Sequence, residues 1–301
     1  MTTNFKVQDH HILQFTRNVE LLLQQKCPRL AGTTATGSYQ GDKAQAVIQF
    51  GEVDMAPITD GENAGNWKGD TVWSSVDHYQ RWVFPSDFAV SLPLSRQDQI
   101  RMFGDPRSPY AEAVRAAYAR KVDDIIIAAA TGEAKTGKYD DLRSTAFPSE
   151  QVMEHGGKGL TIDKLIDAKE MLLAAGNDPS EERFIACSEK QLSDLLKSTE
   201  VKSADYNTIK ALVKGEIDTF VGFKFISTER LAMTPVNGSV PQLRHCFAWV
   251  KSGLHFGTWD ALNIRADARP DKNYVWQVYA RATIGATRTQ EKKVIQIDCK
   301  E

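Results

Sequence analysis

Lys210–Leu231, with the sequence KALVKGEIDTFVGFKFISTERL, is the stretch that decides the fold of this 301-residue chain. Within it, Phe220–Ile226 is rich in aromatic and β-branched residues, which favour a strand. Gly215 and Gly222 stand at the borders of strand-forming sequence. The stretch therefore predicts a β-element embedded in a domain that also contains helices.

The sequence before this stretch predicts alternating strands and helices. A helix is predicted near Ile162–Ala175, ended by Gly176, and Arg183–Cys187 predicts a strand. Ser188 and Gln191 then form the pattern of a capping box, which opens a helix to about Leu196. After the stretch, short apolar runs predict strands at Cys246–Val250, Tyr274–Tyr279 and Lys293–Ile297. The order predicts a mixed α/β domain.

The longest predicted helix runs from Pro109 to about Ala130. Its apolar positions recur at helical spacing: Val114, Ala117, Tyr118, Val122, Ile125, Ile126 and Ala129. Such a helix rises roughly 33 Å, enough to span a subunit. A shorter helix is predicted from Ser95 to Met102 before it, and residues 131–159 after it are predicted to form a polar connector.

A long β-hairpin is predicted between residues 31 and 86. Ala44–Phe50 and Tyr79–Phe84 have strand patterns, and the turn-rich residues 59–70 lie between them. An isolated two-stranded hairpin is marginally stable in water, so this one needs a neighbouring surface. From the pattern alone, folding back on its own domain and projecting to another copy are equally compatible.

An amphipathic helix is predicted at Asp9–Gln25, before Pro28. Its apolar residues recur at helical spacing: Ile12, Phe15, Val19, Leu22 and Leu23. So short a segment forms no domain alone, and its apolar stripe packs on the body or on another copy. The sequence does not decide between these two.

Composition argues against several functional classes. The 37 basic and 39 acidic side chains give a formal charge of -2, which disfavours a dedicated nucleic-acid binder. The longest strongly apolar run, Ile125–Ala130, is too short to cross a membrane, and a soluble, unexported protein is expected. The four cysteines are widely separated, which predicts buried reduced thiols rather than a redox pair or zinc site.

The strongest enzyme-like pattern is Gly132–Lys138, which has the glycine and lysine spacing of a phosphate-binding P-loop. Tyr139 stands where the motif requires Ser or Thr, and Pro148 follows where a helix is needed, which favours a connector. The histidines show no metal-ligand spacing, and Asp123–Asp124 is expected to be solvated. His245 and Cys246 point to opposite sides of a predicted strand. No catalytic, cofactor or metal site is predicted.

Several phrases resemble the major capsid proteins of tailed bacteriophages. HHILQFTRNVELLLQQKCPRL at 10–30 is similar to their N-terminal arm, and RWVFPSDF at 81–88 to the return from their extended loop. ERFIACSEKQLSDLL at 182–196 and VKGEIDTFVGFKFISTERL at 213–231 are similar to their axial domain. The resemblance runs in order along nearly the whole chain.

The resemblance implies the α+β Hong Kong 97-like phage capsid fold. On that template the divisions are an N-terminal arm at 1–30, an extended loop at 31–86, a peripheral domain with its long spine helix at 87–157, a mixed α/β axial domain at 158–268, and a return to the peripheral β-layer at 269–301. The long scaffolding segment fused to some relatives is absent before the loop, so a separate scaffolding chain is expected.

The implied function is structural: self-assembly through hexamers and pentamers into an icosahedral shell that encloses double-stranded phage DNA. Eight residues are candidate contacts between subunits: Trp67, Lys68, Trp73, Tyr79, Trp82, Ile12, Phe15 and Val19. The implied partners are copies of the same chain, a scaffolding protein, a portal, a possible decoration protein and non-specifically contacted DNA, with no membrane. The implied location is the virion capsid, after assembly in the host bacterial cytoplasm. The alternatives are a cellular encapsulating cage of the same fold and a P-loop nucleotidase that uses Lys138.

Overall fold

The computed structural model describes residues 24–51, 53, 55, 76, 78–94, 107–138, 141–197, 219–236 and 239–301. Its helices are α1 (Arg107–Thr131), α2 (Ile162–Ala174) and α3 (Glu189–Lys197). The strands of the first half are β1 (Ala35–Ser38), β2 (Ala44–Phe50), β3 (His78–Val83), β4 (Ser86–Leu94), β5 (Ala134–Lys138), β6 (Asp141–Thr145) and β7 (Val152–Met153). Those of the second half are β8 (Arg183–Cys187), β9 (Thr219–Phe220), β10 (Phe223–Ser227), β11 (Met233–Val236), β12 (Ser239–Val250), β13 (Leu254–Arg269), β14 (Val275–Arg288) and β15 (Val294–Lys300).

One sheet carries the long helix. Its strand order is β1-β13-β14-β4, with β13 and β14 forming a long antiparallel hairpin. α1 packs on this sheet, where Val114 of the helix forms an apolar cluster with Val278 and Ala280 of β14. The 25 residues of α1 rise about 37 Å, which confirms the predicted spanning helix. β13 was not predicted, because its second half is rich in charged residues that mask the apolar alternation.

The main core surrounds a mixed seven-stranded sheet with the order β7-β15-β12-β8-β10-β9, on which β11 pairs with β12. Trp249, Phe247 and Ile185 lie fully buried on its strands. α2 closes one side with Leu165 and Leu172. The predictions for β8, α2 and α3 are confirmed, and the other three predicted strands cover the end of β12 and the first parts of β14 and β15.

A third sheet, β2-β3-β5-β6, contains the base of the predicted long hairpin. β2 and β3 pair antiparallel from Ala44 opposite Val83 to Phe50 opposite His78, with one register shift after Gln45. β5 then pairs with β3, and β6 pairs with β5. The hairpin therefore belongs to a four-stranded sheet.

Two predictions are wrong in detail. Residues 131–159 are not a connector throughout, because β5 and β6 extend the hairpin sheet within them. Phe220–Ile226 is two short antiparallel strands, since a tight turn with φ 53° at Val221 and 84° at Gly222 interrupts it. Glycine adopts that backbone without cost, whereas valine is strained there.

The pairing of the last strands bears on the domain divisions. The expected division between residues 268 and 269 separates β13 from β14, although these two strands pair with each other. β15 pairs with β12 and β7 in the mixed sheet. By strand pairing, residues 254–288 thus belong to the sheet that carries α1, and residues 294–300 belong to the mixed sheet.

Some predicted elements lie outside the described residues. They are the helix at Asp9–Gln25 except its last two residues, the loop tip at 59–70, the helix from Ser95 to Met102, and the first part of Lys210–Leu231. Across the described ranges, none of the helices has the length and apolarity needed to cross a bilayer.

Candidate assembly surfaces

The β2–β3 hairpin exposes apolar side chains on both faces. Ile48 and Phe50 are 55% and 67% exposed on one face, and Tyr79 is 55% exposed on the other. Phe50 is covered in part by His78, with the two ring centroids 4.9 Å apart in an edge-on arrangement. Past the end of β2, Met55 is fully exposed. A single copy of the chain thus leaves a large apolar surface in water around this hairpin.

The base of the hairpin is fixed to its own subunit by polar contacts. Arg81 Nη2 donates to Glu291 Oε2 at 2.6 Å, and Gln49 Nε2 donates to the Thr289 carbonyl at 3.0 Å. Trp82 Nε1 donates to the Gly137 carbonyl at 2.7 Å. These contacts define the direction in which the hairpin leaves the subunit.

Trp82 has a different environment from Tyr79. It is only 7% exposed, because its indole packs within its own chain. Of the predicted contact residues in the described part of the hairpin, Tyr79 therefore remains a candidate. Ile48 and Phe50 are added to it because they are exposed. Sequence reasoning missed these two because, within residues 31–86, it selected only Trp and Tyr residues and Lys68. Their alternation along β2 was a usable signal.

A buried arginine joins the hairpin base to the end of α1. Arg288 is 0% exposed, and its Nη1 donates to the carbonyls of Ala130 and Gly132 at 3.1 and 2.7 Å. Burial lowers the pKa of Arg288, Glu291 opposes that change, and Arg81 adds to it. A cation at the C-terminal end of a helix is stabilised by the unpaired carbonyl groups there. Arg288 therefore couples α1 to the strand that leads to Glu291.

The P-loop-like segment is part of a β-hairpin. Ala134–Lys138 forms β5, and Gly137 adopts a positive φ of 104° beside the turn. An alanine Cβ at Gly137 would stand 2.2 Å from the Asp141 carbonyl oxygen. A phosphate-binding loop instead leads into a helix whose amides face the phosphate. The positive φ and the close approach to Asp141 explain this glycine, and the geometry does not support a nucleotide site.

Asp123 was expected to be solvated, but it is 0% exposed. Its carboxylate accepts the backbone N–H groups of Arg29 and Leu30, each at 3.0 Å through Oδ1, and the Gln25 amide at 2.5 Å. Its neighbour Asp124 pairs with Arg230 at the surface at 2.5 Å. The two adjacent carboxylates therefore have different roles, and Asp123 holds the end of the predicted arm on α1.

His245 lies in a polar row across three adjacent strands. Its Nδ1 is 2.7 Å from Asp298 Oδ1, and its Nε2 is 2.7 Å from Thr234 Oγ1. Sequence reasoning considered His245 only beside Cys246 and did not find these two partners. Hydrolases use the same order of groups together with an oxyanion hole and a substrate cleft. Here the row links β11, β12 and β15 and fixes their register.

The thiols differ in exposure. Cys187, Cys246 and Cys299 are buried, whereas Cys27 is exposed, so the prediction of buried thiols is wrong for Cys27. It lies two residues after the predicted helix at Asp9–Gln25, within the residues assigned to the arm. Burial raises the pKa of Cys187, which keeps it protonated. Within the described part of the chain no cluster of metal-ligating side chains is present.

Six candidate contact residues lie outside the described residues: Ile12, Phe15, Val19, Trp67, Lys68 and Trp73. They flank described segments on both sides. Gln24 contacts Arg120 of α1, and β2 ends at Phe50. The structure therefore describes residues next to these candidates in the chain, although it does not describe the candidates themselves.

Comparison with solved structures shows the same fold in phage capsids. The capsid of cyanophage P-SCSP1u matches with a TM-score of 0.69 at 15% identity, covering 98% of this chain and 94% of that chain. The capsid of Ralstonia phage GP4 matches with a TM-score of 0.69 at 13% identity, covering 99% and 98%. The capsid of cyanophage Pam1 matches with a TM-score of 0.66 at 12% identity, covering 99% of each chain. At these identities the likeness shows the fold alone.

The chain thus has the Hong Kong 97-like fold of these phage capsid proteins. A family model described as phage capsid protein matches residues 7–301. The chain belongs to this phage capsid protein family, and its role is that of a structural component of the virion capsid. No curated protein sequence matches it.

Proposed function

We propose that this chain assembles through hexamers and pentamers into an icosahedral shell that encloses double-stranded phage DNA. The observation that carries the proposal is the exposed apolar surface of the β2–β3 hairpin, formed by Ile48, Phe50 and Tyr79. A neighbouring copy that covers it gains burial energy, and closed symmetry repeats the same contact at every subunit.

The domain divisions form part of the proposal. Within the arm at 1–30 and the extended loop at 31–86, contacts between subunits are assigned to six residues: Trp67, Lys68, Trp73, Tyr79, Ile12 and Phe15. The peripheral domain is assigned 87–157. The axial domain starts at 158, and strand pairing supports moving β13 from it to the peripheral layer, and β15 into it.

The proposed partners follow from the shell. They are copies of this chain, a separate scaffolding protein, a portal and possibly a decoration protein, with assembly in the host bacterial cytoplasm. The formal charge of -2 suits non-specific contact with packaged DNA, because a strongly basic inner surface would retain the phosphates. The proposal assigns no catalytic step, cofactor or membrane contact to the chain.

Electron microscopy of particles made by the expressed chain tests the proposal. Uniform closed shells are expected from the unaltered chain, and Phe50→Ser is expected to reduce their yield strongly while leaving the subunit folded. Gln80→Ser is the matched control, because Gln80 lies beside this apolar surface, paired with Ile48. Deletion of residues 59–70 is expected to impair assembly in the same way. Normal shells from both the Phe50→Ser chain and the deletion chain would show that the hairpin does not make the contact between subunits.

A further inference from the structure

An apolar groove of about 240 Å³ lies between α1 and the sheet beneath it. Its floor is formed by Phe88 and Val90 of β4 and Ala280 of β14, and its wall by Ala117 and Tyr118 of α1. Lys121 stands at its rim with Nζ 4.6 Å from the centre of the Phe88 ring. The small side chains of Ala117 and Ala280 leave space that a larger aliphatic side chain would fill.

The chain that leads into the undescribed N-terminal residues is held against the same helix. Leu30 N and the Gln25 amide donate to Asp123, and Arg120 Nη1 donates to Gln24 Oε1 at 2.8 Å. Going from residue 30 back to residue 24, the contacts on α1 move from Asp123 to Arg120, toward the start of the helix.

The groove begins where this path ends. Ala117 is three residues before Arg120 and therefore about 4.5 Å further along the helix axis, on a neighbouring position of its surface. Val114, which also lines the groove, is one more turn away. The last described contact of this chain segment with α1 therefore lies within about one helical turn of the groove.

We propose that the groove is the docking site of residues 19–23 of the same chain. Val19, Leu22 and Leu23 recur at i, i+3 and i+4 in the predicted arm helix, so they form one apolar face. Glu20 flanks that face and is the only acidic residue between positions 10 and 23. Its negative charge is complementary to the positive charge of Lys121 at the rim of the groove.

This docking answers the question that the sequence left open for part of the arm. Val19, a candidate contact between subunits, is assigned to its own subunit, while Ile12 and Phe15 lie further out and remain available to a neighbour. The docking is a property of the single chain. Its failure would therefore leave the proposed shell function unaffected, because shell formation is scored separately by microscopy.

Disulfide trapping tests the docking in the complete chain, with Cys27→Ser as background because Cys27 is exposed. Leu22→Cys combined with Ala117→Cys is expected to form an intrachain disulfide, seen as a faster-migrating monomer on a non-reducing gel. Leu21→Cys with Ala117→Cys is the control, because Leu21 lies on the other side of the predicted helix. Equal trapping of both pairs would overturn the proposal.

A mixture of chains that carry Leu22→Cys alone and Ala117→Cys alone identifies the source of the arm. We expect mainly intrachain products in the double variant. In the mixture of single variants we expect few crosslinked dimers. Dimers as the main product would assign the groove to the arm of a second copy and overturn docking within one chain.

Filling the groove provides a second test that needs no added cysteine. Ala117→Leu is expected to displace the arm and to speed tryptic cleavage after Arg17 several-fold, measured by mass spectrometry on the folded chain. Ala128→Leu is the matched control, since Ala128 is an exposed residue of the same helix. An unchanged rate in Ala117→Leu would contradict the docking.

Discussion

The carboxylate of Asp123, fully buried on α1, accepts the backbone N–H of Leu30 at 3.0 Å. Leu30 is itself fully buried and belongs to the main core. One side chain therefore fixes the point at which the N-terminal arm joins the body, because it satisfies N–H groups that would otherwise be unpaired.

We expect Asp123→Ala to lower the free energy of unfolding by about 2–3 kcal/mol, because it leaves buried amides without a charged acceptor. Urea denaturation of the unassembled subunit measures the change. Asp124→Ala, which removes a partly exposed ion pair with Arg230, is expected to cost under about 1 kcal/mol. Equal losses in the two variants would contradict the anchoring role.

Gly285 is required by close approach of backbone rather than by its torsion angles. A Cβ at this position would stand 2.2 Å from the Phe84 carbonyl oxygen, between β3 and β4. Gly285→Ala is therefore expected to cost about 1–3 kcal/mol, measured as a lower thermal midpoint.

Gly32→Ala is the control for this substitution, because no atom lies within 4 Å of the added Cβ there. It is expected to leave the thermal midpoint nearly unchanged. A larger fall of the thermal midpoint in this control than in Gly285→Ala would show that the contact with Phe84 is not what requires glycine at position 285.

We expect Arg288→Met to destabilise the subunit by about 3 kcal/mol, since it removes buried donors and leaves two carbonyls at the end of α1 unpaired. Arg281→Met is the control, because the Arg281 side chain is 61% exposed in its pair with Asp260. Equal denaturation midpoints for the two variants would contradict the role assigned to Arg288.

Stability is expected to fall in acid through Glu301. Burial raises the pKa of the Glu301 carboxyl, but hydrogen bonds from Arg244 and Ser188 outweigh burial, so the pKa lies below its ordinary value. The folded state thus favours the ionised carboxyl. Its contribution is present above pH about 4.5 and is lost as the pH falls through the folded pKa.

Thermal midpoints measured between pH 3 and 6 check this dependence. Glu301→Gln is expected to flatten the acid limb, whereas Glu150→Gln, at an exposed position, keeps it. An unchanged acid limb in Glu301→Gln would assign the acid sensitivity to other carboxyls, such as Asp298, whose pKa is also lowered by hydrogen bonds from His245 and Gln296 against the effect of burial.

Local patterns were sufficient for the elements whose signal lies within a short window. The apolar spacing from Val114 to Ala129 predicted α1, and Arg183–Cys187 was predicted with the observed bounds. The two strands of the hairpin were found in the same way. β13 was missed because charged residues in its second half mask the apolar alternation. The turn at Val221 was missed because valine rarely adopts a positive φ.

The sequence by itself determined the alternation of helices and strands, the presence of a hairpin too small to be stable alone, and the resemblance to phage capsid proteins. Only the tertiary structure decided which residues are anchors and which are available for contact. Trp82 and Asp123 are buried, whereas Ile48 and Phe50 are exposed, because burial depends on which distant elements pack together. The alternation along β2 places Ile48 and Phe50 on one face, but the residues near them in the chain do not show whether that face is covered.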